Sequence, residues 1–328
     1  MRQVAADTAG IRLAAETIRA GGLVAFPTET VYGLGADATQ EEAVLAIFRA
    51  KGRPPDNPLI VHVASAEDAR ALAANWPPLA ERLATRFWPG PLTLVVESGP
   101  VVALAARAGL GTVGIRWPRH PVAEALIRES RRPIAAPSAN RSGRPSPTRA
   151  AAVAEDLAAA DGILLDGGDA GIGVESTVVA LLDRGPVLLR PGGLPLEAVE
   201  AVAGAVSLPG EDEPVRAPGM KYRHYAPRCP VILVRADGRE AVARIRREFS
   251  PRSTGLLAAH AVVAGLPEFL AVDLGEDART AAAALFAGLR QLERAPGIER
   301  IVAVWDQRDG LGRAVLNRLE KAAGVDVR

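Results

Sequence analysis

Short apolar runs alternate with amphipathic stretches along the first two hundred residues. A helix is predicted over residues 11–20. Thr39 and Glu42 have the spacing of a capping box, and Ser65 with Asp68 predicts the start of another helix. The apolar runs predict strands over residues 23–26, 59–64, 92–96, 113–116, 134–136, 163–165, 176–182 and 187–189. This alternation, with some hairpin-like spacing, predicts a mixed, twisted α/β sheet with helices on its faces.

The pattern changes after about residue 205. A Pro/Gly-rich stretch follows, in which no regular element is expected. Beyond it, strands are predicted over 231–234, 254–258, 271–274 and 301–305, and helices over 239–249, 278–294 and 311–323. That order is typical of a small parallel βα, Rossmann-like domain. We therefore expect a catalytic domain over 1–205, a linker or lid over 206–230 and a small α/β domain over 231–328.

Composition narrows the class of protein. The 328 residues carry a formal net charge of +1, so no global field would draw the chain to DNA or to an anionic membrane. Cys229 is the only cysteine, which excludes a disulfide framework and a multi-cysteine metal site. No secretory leader is recognisable, and no apolar run approaches the roughly 18 residues of a membrane span. A cytoplasmic location is the expectation.

A glycine pattern at residues 109–114 reads G-x-G-x-x-G but lacks the context of a dinucleotide site. Such a fingerprint follows a strand and opens a helix, whereas here a strand is predicted next and Pro118 blocks a helix. A Walker-type phosphate loop is also missing from the sequence. A nucleotide site in this chain must therefore be of another kind.

Several predicted strands end in Pro/Gly-rich loops that carry polar groups. The loop after residue 26 holds threonine hydroxyls and one carboxylate, Glu29. Lys51 and Arg53 stand at a predicted helix end fixed by a Pro-Pro pair; the alternative is that both cations only cap that helix. A third loop, residues 137–148, combines serines, an asparagine and arginines between prolines, as polyphosphate binding requires. Its alternative interpretation is a solvated linker.

Two weaker segments complete the set, at residues 173–179 and 188–193. Taken together and in this order, the five segments resemble the L-threonylcarbamoyladenylate synthase family, the YrdC-like enzymes. The strongest match is Lys51-x-Arg53 with the later Ser138-x-Asn140. The segment 218–227 and the small domain behind it are similar to the longer, two-domain branch of that family.

The resemblance implies a fold and an activity. The fold would be a twisted, mostly open sheet around a deep cavity. The enzyme would condense L-threonine and bicarbonate with ATP, releasing pyrophosphate and forming threonylcarbamoyl-AMP. A partner transferase would then modify adenosine in tRNA. Mg²⁺ is expected to arrive with the ATP, and no prosthetic group is expected.

The resemblance also implies roles for individual residues. The catalytic set comprises Lys51, Arg53, Ser138 and Asn140. The ATP-binding set comprises Arg53, Asn57, Thr112, Ser138, Ser146, Arg190 and Tyr225. The threonine-binding set comprises Thr30, His62, Arg116, Ala136 and Ser176. Arg116 is the natural fork for the carboxylate of the amino acid. No metal ligands are assigned.

The linker is unusually rich in functional side chains. Lys221, Tyr222, Arg223, His224 and Tyr225 follow one another within a Pro/Gly frame. From residue 209 to 230 it could reach about 70 Å at roughly 3.3 Å per residue. The resemblance implies that it folds back as a lid and excludes water from a product that hydrolyses easily.

Two other functions compete with this interpretation. An RNA-binding module that recruits tRNA without chemistry would need a basic, aromatic stripe, which the sequence lacks. The carbamoyl-adenylate unit of hydrogenase maturation proteins shares the fold, but those chains add cysteine-rich zinc elements that a single cysteine cannot supply.

Overall fold

The computed structural model describes residues 1–182, 185–210, 224–236, 238–324 and 327. Within them the chain divides into two units. The first unit comprises Met1–Ser142, Pro147–Gly171 and Glu175–Lys221. The second comprises Gly143–Ser146, Ile172–Val174 and Tyr222–Arg328. Two short segments that precede residue 175 thus belong to the second unit.

A ten-stranded mixed sheet forms the frame of the first unit. Its strands are β1 (Arg2–Ala5), β2 (Val24–Phe26), β3 (Gly33–Asp37), β4 (Ile60–His62), β5 (Leu92–Glu97), β6 (Thr112–Arg116), β7 (Ile134–Ala135), β8 (Ile163–Asp166), β9 (Thr177–Leu182) and β10 (Gly185–Arg190). They lie in the order β1-β8-β2-β3-β7-β4-β6-β5-β9-β10. The pairs β4–β6 and β5–β9 are parallel, and β2–β3 and β9–β10 are antiparallel. The predicted mixed sheet is confirmed.

Helices accompany this sheet, whose strands carry buried apolar residues on both faces. The helices are α1 (Thr8–Arg19), α2 (Glu41–Lys51), α3 (Ala66–Leu72), α4 (Pro78–Phe87), α5 (Pro121–Ser130), α6 (Ala150–Asp156) and α7 (Leu196–Ala203). On β5, Leu92 and Leu94 belong to the largest core cluster. Val95, between them and the strand end, packs in a separate small cluster with Val178 of β9. This period of two is what sheet side chains follow.

Two local expectations were wrong, and one strand was missed. Residues 33–35, expected to belong to the loop after residue 26, begin β3, because Phe26 and Gly33 pair in a hairpin. The Thr39–Glu42 capping box does not form, since the Thr39 hydroxyl donates to buried Asp37 and Gln40 is the N-cap instead. Strand β1 was not expected at all. The Ser65 cap is confirmed, with the Asp68 amide donating to its hydroxyl at 3.0 Å.

The second unit carries a four-stranded, all-parallel sheet. Its strands are β11 (Val231–Val234), β12 (Thr254–Ala258), β13 (Leu270–Asp273) and β14 (Arg300–Val304), in the order β11-β14-β12-β13. The helices are α8 (Gly238–Glu248), α9 (His260–Ala264), α10 (Ala278–Arg294) and α11 (Gly310–Ala323). The small parallel βα arrangement is confirmed. The linker residues 211–223 lie outside the described residues.

A close backbone approach fixes the distance between two strand ends that the sequence had singled out. A Cβ placed on Gly192 would lie 2.3 Å from the Ser176 carbonyl carbon and 2.4 Å from the Thr177 nitrogen. Thr177 holds the same crossing from the other side, since its hydroxyl donates to the Leu194 carbonyl at 2.5 Å and accepts from the Leu194 amide at 3.0 Å. Only glycine fits at position 192, because the clashing atoms are backbone.

We expect Gly192→Ala to destabilise the protein by about 3 kcal/mol or more, because rigid backbone has to move. Gly171→Ala is the matched control: a Cβ there meets nothing within 4 Å, and its φ is not in the left-handed region. Urea unfolding of both variants measures the difference. Equal midpoints for the two variants would contradict the close approach.

Candidate active site

Lys51 joins the end of α2 to the loop that follows β7. Its Nζ donates to the Ser138 carbonyl at 2.5 Å and also to the Asn140 carbonyl. The Ser138 hydroxyl in turn donates to Asn140 Oδ1 at 2.5 Å. Lys51 is only 3 % exposed and reaches another segment of the chain, which a cation that merely caps its own helix would not do. The structure therefore brings three of the four predicted catalytic residues together.

Lys51 has an altered acidity. Burial lowers the pKa of its ammonium well below the usual 10.5, and the positive charge of Arg53 lowers it further. Both effects disfavour the charged form. A bound anion would act in the opposite direction and favour the ammonium. Lys51 is thus placed to respond to a negatively charged ligand.

Arg53 and Asn57 form a second buried group beside the Pro-Pro loop. The guanidinium Nη2 of Arg53 donates to the carbonyls of Asn57 and Pro58 at 3.1 and 3.2 Å. The carboxamide of Asn57 is buried, and neither its nitrogen nor its oxygen has a hydrogen-bond partner among the described residues. A buried amide without partners costs free energy. A ligand with both donors and acceptors, such as a nucleotide, would relieve that cost.

His62 and Arg116 lie side by side because β4 and β6 are parallel and these two residues are in register. On its other side, β4 pairs with β7 and the residue that follows it. The Ala136 amide donates to the Ile60 carbonyl at 2.9 Å. All three residues are buried. His62 and Arg116 therefore meet in the middle of the sheet, and Ala136 lies on the neighbouring chain segment beside Ile60, two residues before His62.

The imidazole of His62 is held neutral. Burial, aided by the neighbouring Arg116 charge, lowers the pKa of His62 from 6.5 to about 3. Its Nδ1 is buried and has no hydrogen-bond partner within the described part of the chain. A neutral ring offers a donor and an acceptor to a ligand without adding charge.

Thr30, Ser176 and Arg190 are further predicted site residues, in the β2–β3 loop, just before β9 and at the end of β10. Thr30 is fully buried, with its hydroxyl 2.8 Å from that of Thr28. Arg190 NH2 donates to the carbonyl and hydroxyl oxygens of Ser176 at 2.9 and 3.2 Å. Arg190 and Ser176 were predicted to serve different ligands, yet they form one hydrogen-bonded pair.

Three further residues were predicted to bind the nucleotide. Thr112 begins β6, at the opposite end of that strand from Arg116. Ser146 and Tyr225 both belong to the second unit. There Tyr225 is buried, stacks on Phe286 of α10 at 5.3 Å between ring centroids, and lies beneath the guanidinium of Arg318. The roles of Thr112, Ser146 and Tyr225 toward a nucleotide stay predictions. Lys221, Tyr222 and Arg223 lie outside the described residues.

One functional candidate was noted in the sequence without a role. This candidate is Glu29, whose Oε2 lies 2.8 Å from Nη2 of Arg116. The two residues are 87 positions apart, and no spacing rule predicts such a pair. A sequence signal for Glu29 did exist, because it is the single carboxylate in a strand-end loop of threonine hydroxyls.

Two further kinds of feature are clusters of metal-binding side chains and membrane-spanning helices. Among the described residues no three His, Cys, Asp or Glu side chains cluster in a way that could hold a metal ion. No helix within the described ranges is long and apolar enough to cross a membrane.

Fold and site together define an α/β enzyme with buried lysine, arginine and hydroxyl groups at its strand ends. Residues 16–192 match the Sua5/YciO/YrdC family model, described as telomere recombination. Residues 194–324 match the model described as the C-terminal domain of threonylcarbamoyl-AMP synthase.

Individual relatives agree with these family matches. The threonylcarbamoyl-AMP synthase of Pyrococcus abyssi is 49 % identical, over 97 % of this chain and 95 % of its own. That of Bacillus subtilis is 46 % identical, over 96 % and 93 %. The crystal structure of P. abyssi Sua5 complexed with L-threonine superposes with a TM-score of 0.90, covering 99 % of this chain and 97 % of that one at 46 % identity. The chain belongs to the Sua5/YciO/YrdC family, in the threonylcarbamoyl-AMP synthase branch that carries the C-terminal domain.

We expect the His62 ring not to titrate between pH 5 and 8. Its folded-state pKa lies below its ordinary value, so protons bind preferentially to the unfolded chain as the pH falls from about 6.5 toward 3, and folding stability falls with it. Histidine ring NMR signals, assigned with His62→Gln, test this. His260 is the internal control, because its hydrogen bond to Asp273 raises its pKa above 6.5. A His62 signal that titrates near pH 6.5 would contradict the buried, neutral ring.

Proposed function

We propose that this chain catalyses the ATP-dependent condensation of L-threonine with bicarbonate to threonylcarbamoyl-AMP, with release of pyrophosphate. The observation that carries the proposal is the buried contact of Lys51 with Ser138 and Asn140. It fixes the two polar residues of the third loop next to a cation whose charge an incoming polyphosphate would favour. The family membership supports the same reaction.

The proposed chemistry needs alignment and charge neutralisation, and no covalent nucleophile. The amine of threonine reacts with bicarbonate to give a carbamate and water. A carbamate oxygen then attacks the α-phosphorus of ATP, and pyrophosphate leaves. Lys51 and Arg53 would neutralise the charge that develops on the phosphates, with Ser138 and Asn140 as hydrogen-bonding groups around them.

The two substrates would use different parts of the site. We assign the nucleotide to Arg53, Asn57, Thr112, Ser138, Ser146, Arg190 and Tyr225. We assign threonine to Thr30, His62, Arg116, Ala136 and Ser176. The unsatisfied amide of Asn57 and the unsatisfied Nδ1 of His62 support this division, because each is a buried polar group with capacity for a ligand.

Further parts of the proposal concern the surroundings of the reaction. Mg²⁺ would enter bound to ATP, where it screens the phosphates. The product would pass to a transferase that modifies tRNA in the cytoplasm. The segment around residues 206–230 would act as a lid over the reacting groups, with Tyr225 on the nucleotide.

Pyrophosphate release should require L-threonine and bicarbonate together, because the proposed attack on ATP is made by their product. A coupled pyrophosphate assay with each substrate omitted in turn measures this. Serine and valine in place of threonine are the controls for the amino-acid pocket. Equal ATP consumption without threonine or without bicarbonate would overturn the proposed function.

Lys51→Ala and Arg53→Ala should each lower kcat/KM by roughly 100-fold or more, since a group that stabilises charge in the transition state contributes about 3 kcal/mol. Arg49→Ala is the matched control. It removes a cation from the same last turn of α2, but its side chain is 64 % exposed. If all three variants behaved alike, Lys51 and Arg53 would only be helix-terminal cations.

A further inference from the structure

The ion pair between Glu29 and Arg116 is a largely buried charge pair, and the reaction described above gives its carboxylate no role. The Oε2 of Glu29 lies 2.8 Å from the NH2 of Arg116, and the two side chains are 13 % and 5 % exposed. Glu29 stands in the Pro27–Tyr32 hairpin between β2 and β3, next to Thr28 and Thr30. The pair therefore lies where the proposed amino-acid pocket begins.

The geometry of this pair is incomplete. The two groups are close enough for an ion pair, but the angles do not suit a hydrogen bond. Within the described residues, no hydrogen bond is made by either carboxylate oxygen of Glu29 or by Nη2 of Arg116. The Arg116 Nε donates to the Gly90 carbonyl at 3.3 Å, which orients the guanidinium. A buried ion pair compensates for desolvation only when its remaining hydrogen-bonding positions are filled. Here both partners keep capacity for a third group.

A zwitterion is the ligand that satisfies both partners at once. Its carboxylate accepts hydrogen bonds from a guanidinium, and its ammonium donates up to three hydrogen bonds to carboxylate oxygens. Mono-anions and mono-cations would satisfy one partner and face the like charge of the other. The pair thus matches an α-amino acid in its zwitterionic form.

We propose that Glu29 binds the α-ammonium group of the substrate amino acid, while Arg116 binds its carboxylate. This assignment rests on the proposed function for the identity of that amino acid. Glu29 sets where the amine nitrogen stands before it reacts, and it makes the pocket reject acids that lack the amine. A further titratable group near Glu29 is His120, whose pKa burial lowers although the Glu29 charge acts in the opposite direction.

A purely structural role for Glu29 makes a different prediction. If Glu29 only oriented Arg116, its loss would weaken every ligand that uses the Arg116 fork by the same factor. If Glu29 binds the ammonium, its loss weakens only ligands that carry one. Sites built to pair with a substrate N–H reject the analogue lacking it, because their own polar group is left buried and unpaired.

The experiment compares L-threonine with 3-hydroxybutyrate, which keeps the carboxylate and the β-hydroxyl but lacks the amine. Dissociation constants are measured by calorimetry with the full chain, and by displacement of threonine where binding is weak. Glu29→Gln should weaken threonine binding by about 10- to 100-fold. It should leave 3-hydroxybutyrate binding unchanged or make it tighter, because the unpaired carboxylate that disfavours this ligand is gone. Glu29→Asp, which keeps the charge, should recover part of the loss. Glu42→Gln, an 84 % exposed carboxylate, is the control.

Two results overturn the assignment in distinguishable ways. Threonine binding that Glu29→Gln leaves unchanged, or an equal loss for both ligands, would refute the ammonium role alone. A wild-type chain that binds no threonine would overturn the proposed function and this assignment together. Thermal unfolding midpoints of the variants show that each remains folded.

Discussion

The site depends on one buried cation. Lys51 leaves the end of α2, is almost fully covered, and donates to two carbonyls of the loop that carries Ser138 and Asn140. Taking an ammonium out of water costs several kcal/mol, and the two carbonyls offset only part of that cost. Burial accordingly holds the pKa of Lys51 well below its usual range. The position of the third loop is therefore tied to a single buried amine.

The sheet supplies the rest of the arrangement. Because β4 and β6 are parallel and in register, His62 and Arg116 emerge next to each other. The crossing at Gly192 holds the ends of β9 and β10 close enough for Arg190 to bond Ser176. Each of these contacts joins residues far apart in sequence. The site is thus a product of strand order, with the loops contributing chemistry at positions that the sheet fixes.

Much of this could be predicted from the sequence, because strand periodicity and Pro/Gly loops are local signals. The strand ends were found, and with them Lys51, Ser138 and Asn140. Strand β3 was missed because its Gly-Leu-Gly start has little strand propensity, and pairing with β2 overrides it. The Thr39 cap failed because buried Asp37, itself in need of donors, takes the threonine hydroxyl. The pairing of Glu29 with Arg116 depends on strand order, which no local pattern contains.

The central claim is that one cavity joins an amino acid, bicarbonate and ATP through a carbamate. Mass spectrometry of the product formed from ¹³C-bicarbonate, unlabelled L-threonine and ATP tests it most directly. The account predicts an AMP conjugate that contains threonine and carries one ¹³C, in the carbamoyl carbon. An AMP conjugate of threonine without the label, or labelled carbonate activated without threonine, would contradict it.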